Sequence, residues 1–151
     1  MGAFQAKLEM ENNALSHGIQ ATMLRIGNVA GADALLGQAG LHRKLDRFPS
    51  GNGPVRFYIG PKGLSSALIS LVHCIISGIP LPARLNVAER GGIAMVDLCK
   101  AAGLEITWQP APATALEAVV LDVTCLGDLI SVRDADARDI VADWSAYEAM
   151  M

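Results

Sequence analysis

The stretch from Leu64 to Ile79 constrains the fold more than any other part of the chain. Its apolar residues Leu64, Ala67, Leu68, Leu71, Val72, Ile75, Ile76 and Ile79 recur at spacings of three and four, which places them on one stripe of a core-facing helix. Ser65, Ser66, Ser70, His73 and Ser77 interrupt the run, and it falls short of the roughly 20 apolar residues that a membrane span needs. The stretch therefore predicts a buried helix in a water-soluble domain. Such a stripe needs a second layer to receive it.

The rest of the chain supplies candidates for that layer. AFQAKLEMENNALSHG reads as a first helix closed at His17-Gly18, because glycine takes the left-handed conformation that ends helices. In ATMLRIG, Thr22, Leu24 and Ile26 alternate with Met23 and Arg25, the pattern of a strand. Residues 31–53 read as loop and short-helix material ending in the turn cluster Pro49-Ser50-Gly51-Asn52-Gly53-Pro54. Val55 to Ile59 reads as a second strand, ended by Gly60-Pro61 before the long helix starts near Gly63.

Beyond Pro80 and Pro82, Arg84 to Ala88 reads as a third strand. The Gly91-Gly92 pair opens a helix that closes at Gly103, and Glu105 to Gln109 is a fourth strand stopped by Pro110. Residues 113–130 read as a short helix and loops. Asp134 is placed to cap a last helix with the apolar face Ala137, Ile140, Val141, Trp144 and Tyr147. Alternating helices and strands argue for a layered α/β or α+β arrangement. At 151 residues the chain is one domain's worth, long enough to bury roughly 68–70% of its unfolded surface.

Several function classes are disfavoured. The net charge is −3 with both signs interspersed, whereas a nucleic-acid surface shows a clustered Lys/Arg stripe. The start MGAFQAK lacks the basic and long apolar regions of a signal peptide. Cys74, Cys99 and Cys125 lie far apart in apolar segments and read as buried, reduced thiols in a cytoplasmic setting. His17, His42 and His73 show no metal-ligand spacing with one another or with the cysteines. No Gly-x-Ser-x-Gly elbow is present. The nearest glycine pattern, Gly27, Gly31 and Gly37, has the wrong spacing for a dinucleotide-binding turn.

One ordered set of residues carries a resemblance. Lys7, Glu11, Leu24, Arg25, Asn28 and Gly31 match, in order, a helix with a Tyr-x-x-x-Lys motif followed by a strand ending in a Leu-Arg-x-x-Asn-Val-x-Gly type loop. Gly53, Val55, Arg56, Tyr58, Ile59 and Leu64 follow a glycine turn, a Val-Arg-Asp-Tyr-Ile-His-Val strand and an Asp-Leu-Ala helix start. RLNVAE matches a later strand with an Asn-Val core. These segments resemble the C-terminal half of extended short-chain dehydrogenase/reductases, the NAD-dependent epimerase/dehydratase family.

The resemblance implies a Rossmann-like α/β fold: part of a parallel sheet plus a small substrate-binding subdomain. Residues 1–33 would form the lysine helix, strand and substrate loop, and residues 34–151 the subdomain with the remaining sheet and helices. Lys7 would match the catalytic lysine, which also holds the nicotinamide ribose of NAD or NADP. Ile26 and Gly27 would pass the nicotinamide ring, while Asn28 and Arg56 would contact the phosphates of a nucleotide-sugar-like substrate. An arginine suits phosphate because its planar fork binds two oxygens at once.

The chain departs from the pattern at Ala3, which stands where the tyrosine would be, and at Phe57, Gly60 and Gly63, which replace polar residues. Without the tyrosine there is no phenol for the lysine to tune. The residues also allow plainer readings. Lys7 can form an i,i+4 pair with Glu11, Asn28 can stabilise its loop, and Arg56 can be an edge-strand surface residue.

Two functions follow from different classes. The chain is either the C-terminal portion of an NAD(P)-dependent epimerase, dehydratase or reductase, truncated and inactive alone, or a standalone non-catalytic remnant. A remnant would bind a nucleotide-type ligand or form homo-oligomers through the helix of Ala3, Ala6, Met10 and Ala14. In either case the strand after the Lys7 helix is expected to expose an edge, and its covering helices an apolar face.

Overall fold

The computed structural model describes residues 3–18, 20–119 and 121–150. Helix α1 (Ala3–Ser16) ends before Gly18, whose φ of 67° is the left-handed closure expected there. Strand β1 (Met23–Ile26) passes through Gly27 into β2 (Asn28–Val29). Helix α2 (Pro61–Ile76) begins with a proline, tolerated because the first helical N–H has no partner in any case. It connects to β6 (Arg84–Val87), which runs parallel to β1 with Met23 opposite Arg84 and Ile26 opposite Val87.

The expected strand over Val55 to Ile59 divides at Phe57. Its first part, β4 (Val55–Arg56), is antiparallel to β7 (Ile93–Ala94), and its second, β5 (Tyr58–Ile59), is parallel to β2. Because β7 occupies the start of the segment that the Gly91-Gly92 pair opens, helix α3 (Met95–Ala101) begins only after it. Strand β8 (Glu105–Pro110), helix α4 (Thr124–Leu129) and helix α5 (Ala137–Glu148) complete the chain.

A parallel partner of β8 lies where the sequence predicts only loop and short helix. Residues His42–Arg47 form β3, paired with β8 along its whole length, and no helix occurs within the described part of 31–53. Leu45 is the only aliphatic residue in HRKLDR, so periodicity had almost nothing to detect. The alternation is nevertheless physical, with Arg43 and Leu45 buried between exposed His42 and Lys44. Arg43 is tolerated inside because its guanidinium donates to the carbonyls of Leu35, Gln38, Gly40 and His42. A buried charge of this kind needs such satisfaction.

The cap of α5 also differs from expectation. Asp136 accepts from the backbone N–H groups of Arg138 at 2.9 Å and Asp139 at 3.1 Å. Asp134 instead pairs with Arg90 at 3.0 Å. Both aspartates precede the same apolar face, and only the backbone turn decides which one reaches the free N–H groups.

The break at Phe57 sends adjacent residues into two cores. Tyr58 joins Leu45, Leu98, Cys99 and Ile140, whereas Phe57 and Ile59 join Ala67, Leu71, Leu85, Val87 and Leu126. The stripe on α2 is only partly received. Ala67, Leu71 and Cys74 are buried, but Val72, Ile75 and Ile76 are 51%, 59% and 76% exposed, and Leu68 and Ile79 also face outward. The β1–β6 pair beneath the helix is two strands wide and covers one flank of a stripe broad enough for more. The reading of all three cysteines as core thiols is likewise corrected, since Cys125 is exposed while Cys74 and Cys99 are buried. Among the described residues, no helix is long and apolar enough to cross a membrane.

Candidate functional site

The carboxyl end of β1 gathers most of the positions that the sequence singles out. The Gly27 N–H donates to Val87 O at 2.9 Å, and the Asn28 N–H donates to Phe57 O at 3.0 Å. The chain thus leaves β6 at Gly27 and engages β5 one residue later. A methyl group on Gly27 would lie 3.2 Å from the Ala88 methyl and 3.4 Å from Phe57 O. Glycine lets these three backbones approach, and packing accounts for it.

Asn28 is opposite Tyr58 in the β2–β5 ladder. Its side chain is exposed, and among the described residues its carboxamide makes no hydrogen bond within the chain. Tyr58 is fully buried and donates its hydroxyl to Asp33 Oδ2 at 2.7 Å. Burial, and then the hydrogen bond and charge of Asp33, push the phenol far above its ordinary range. Tyr58 is thus held as a neutral donor and does not replace the missing phenolate.

Arg56 lies two residues away in β4, half-buried and already engaged. Its Nη1 donates to Val55 O at 2.7 Å and Glu117 O at 3.1 Å, and its Nη2 to Leu116 O at 2.9 Å. These bonds hold the 116–117 loop against the sheet and leave only part of the guanidinium fork for a ligand.

Lys7 stands apart on exposed α1. Its expected partner Glu11 instead accepts from Arg25 at 2.6 and 2.9 Å and from Arg84 at 3.1 Å. The Arg25 hydrogen bond, aided by Arg84 and opposed by desolvation, holds the Glu11 carboxyl down at about 2. Arg84 also donates to Asn12 Oδ1 at 2.7 Å. These contacts tie α1 to β1 and β6. Four residues from Glu11, Lys7 lies on the same helix face, but no described contact brings it to Asn28 or Arg56.

A further polar cluster carried no sequence signal. Glu89, nearly buried at the end of β6, accepts from Arg133 at 2.6 Å, while Arg133 lies 3.8 Å from Asp143 on α5. Asp143 accepts from the Lys62 and Gly63 N–H groups at 3.3 and 3.1 Å, satisfying the start of α2. Burial raises the Glu89 carboxyl, and Arg133 only partly opposes the shift. This cluster explains two departures noted in the sequence. A side chain at Gly60 would collide with the Asp143 carboxylate, and one at Gly63 would lie 3.0 Å from Arg133 Nη2 and 3.2 Å from Glu89 Oε1. Residues so far apart in sequence offered no spacing to recognise. Among the described residues no group of three metal-ligating side chains converges.

The fold is α/β with short parallel strand pairs, of the kind found in nucleotide-sugar epimerases and dehydratases. The similarity spans 97% of this chain and 53% of the UDP-glucose-4-epimerase from Stenotrophomonas maltophila with bound NAD and formylated UDP-arabinopyranose, with a TM-score of 0.67 and 18% identity. TunA, an NAD-dependent NDP-hexosamine 5,6-dehydratase involved in tunicamycin biosynthesis, is similar at a TM-score of 0.70 and 12% identity, over 97% of this chain and 53% of its own. RMD from Pseudomonas aeruginosa complexed with NADPH gives 0.55 and 16%, over 91% and 52%. The chain thus spans about half the length of these structures. No family model and no curated protein matches it.

Proposed function

We propose that this chain is the C-terminal portion of an NAD(P)-dependent epimerase, dehydratase or reductase acting on a nucleotide-sugar-like substrate, and that it is inactive alone. The observation that carries the reading is the carboxyl end of β1, where Ile26, Gly27 and Asn28 pass between β6 and β5 in a fold shared with such enzymes. In this reading Lys7 is the catalytic and cofactor-ribose lysine, Ile26 and Gly27 border the nicotinamide, and Asn28 and Arg56 meet the substrate phosphates. Residues 1–33 form the lysine helix, strand and substrate loop; 34–151 form the substrate subdomain with the rest of the sheet. The setting is cytoplasmic.

The described residues do not fit NAD or NADP by themselves. Gly27 presses against Ala88 and Phe57 instead of opening a cradle, Lys7 lies exposed on α1, and no glycine turn with dinucleotide spacing is present. Isothermal calorimetry tests the reading. Expected are no measurable NAD affinity and weak UDP-glucose binding that Asn28→Ala lowers. Micromolar NAD binding, or UDP-glucose binding indifferent to Asn28 and Arg56, contradicts it.

A further inference from the structure

Glu89 and Arg133 line a cavity of about 290 Å³, and Lys7, Asn28 and Arg56 are not part of its lining. Its size falls at the lower end for small-molecule sites, which begin near about 300 Å³. One wall is the first half of α2, where Lys62, Ser66 and Ser70 recur every four residues and so share a helix face. Leu126 of α4 and Val132 line the cavity as well, and the buried Ala67 and Leu126 give it an apolar floor.

The charges on that lining are unequal. Lys62 and Arg133 are cationic, and Glu89 is the one anion. Asp143 spends its carboxylate on the N–H groups of Lys62 and Gly63 and does not line the cavity. Glu89 is only 3% exposed and accepts from Arg133 Nη2 at 2.6 Å. A carboxylate buried this far depends on its partner, and the pairing fixes the guanidinium before any ligand arrives. The Arg133 side chain is itself half exposed, and among the described residues its Nε and Nη1 make no hydrogen bond. Among the same residues Lys62 has no ion pair, and the hydroxyls of Ser66, Ser70 and Ser131 have no partner.

From these observations we infer that the cavity is a binding site for a small organic monoanion, a carboxylate carried on a short apolar body. The carboxylate accepts from the unspent N–H groups of Arg133 and from Lys62, because charge-assisted bonds to a pre-positioned guanidinium are strong. The apolar body covers Ala67, Leu126 and Val132, where burial adds to the affinity. Two cations on the lining repel an ammonium ligand, and the Glu89 charge behind Arg133 opposes a dianion. The inference rests on this cavity and not on the assignment of Lys7, Asn28 and Arg56. Its failure therefore leaves the nucleotide-sugar reading to calorimetry, and failed UDP-glucose binding leaves it standing.

The test is titration of the isotope-labelled full chain with hexanoate, followed by its amide chemical shifts, with hexylammonium and inorganic phosphate as comparisons. Expected is saturable hexanoate binding with a dissociation constant on the order of 1 mM, the scale open to so small a ligand, and shifts centred on Ser66, Ser70 and Arg133. Replacing both members of the ion pair, Glu89→Gln together with Arg133→Gln, leaves no carboxylate buried without its partner. It should weaken binding about tenfold, as loss of a charged hydrogen-bond donor does. Ser70→Leu fills the cavity from α2 without altering the ion pair and should abolish binding. The two variants act by separate routes, so either one that keeps the parent's dispersed spectrum decides the case. Absent saturation, shifts centred elsewhere, hexylammonium or phosphate binding as tightly as hexanoate, or hexanoate binding indifferent to these substitutions overturns the inference.

Discussion

The two sides of this molecule are finished to different degrees. Around Tyr58, α3 and α5 close over a core in which Leu98 and Ile140 have no exposed surface, with Leu45 of β3 facing into it. Around β1, α2 leaves Ile75 and Ile76 in water, and α1 is held by the ion pairs of Glu11 with Arg25 and Arg84. Hydrophobic burial maintains the first side, whereas charge and solvent-exposed hydrogen bonds maintain the outer layer of the second. The same sequence rules therefore give a closed core where two apolar layers meet, and an open face where no second layer covers α2 among the described residues.

The sharpest way to break this contrast is a pair of truncations. Ile140→Ala should cost about 2–5 kcal/mol, the range for emptying a closed core site. Ile75→Ala should stay within about 0.5 kcal/mol, because an exposed side chain leaves no cavity. Urea unfolding of both variants checks the pair, and equal losses would mean that the α2 flank is covered in solution. Next in size is Gly60→Ala, which forces a methyl group into the Asp143 carboxylate. It should cost about 1–3 kcal/mol, as overpacking does, and the loss should shrink in the Asp143→Ala background.

Tyr58→Phe should follow at about 1–3 kcal/mol by the same denaturation assay, since it removes a hydroxyl that Asp33 accepts from in a buried setting. The smallest effect belongs to α1. Glu11 has its carboxyl lowered from 4.5 to about 2, so its contribution to docking is complete above the ordinary value and disappears as pH falls through about 2. Protection factors of the α1 amides, corrected for the intrinsic pH dependence of exchange and small to begin with, should fall further over that window, as they should in high salt, which screens exposed pairs. Protection factors unchanged between pH 5 and 2 would remove Glu11 from the account.

Most elements were legible because their signals are local. Gly18 and the Pro80 and Pro82 breaks mark ends, and Arg84 to Val87 alternates in a way that only a strand satisfies. β3 was not legible, because Arg43 takes a buried position that a hydrophobe normally fills and is satisfied by carbonyls that only the folded loop brings together. The stripe on α2 is as apolar as its periodicity implies but only partly buried: periodicity shows which residues seek cover and not whether cover exists. The candidate site divides along the same line. The Asn28 and Arg56 neighbourhood follows from the order of short motifs, while the Glu89–Arg133–Asp143 cluster depends wholly on tertiary approach.

The central claim is that the β1 side is the open side of a fold whose other side is closed. Residue-resolved amide exchange on the isolated chain tests it most directly. The account predicts slow exchange near the global limit in α3 and α5, with rapid exchange at Leu24, Ile26 and throughout α1. Uniform protection across both sides would contradict it.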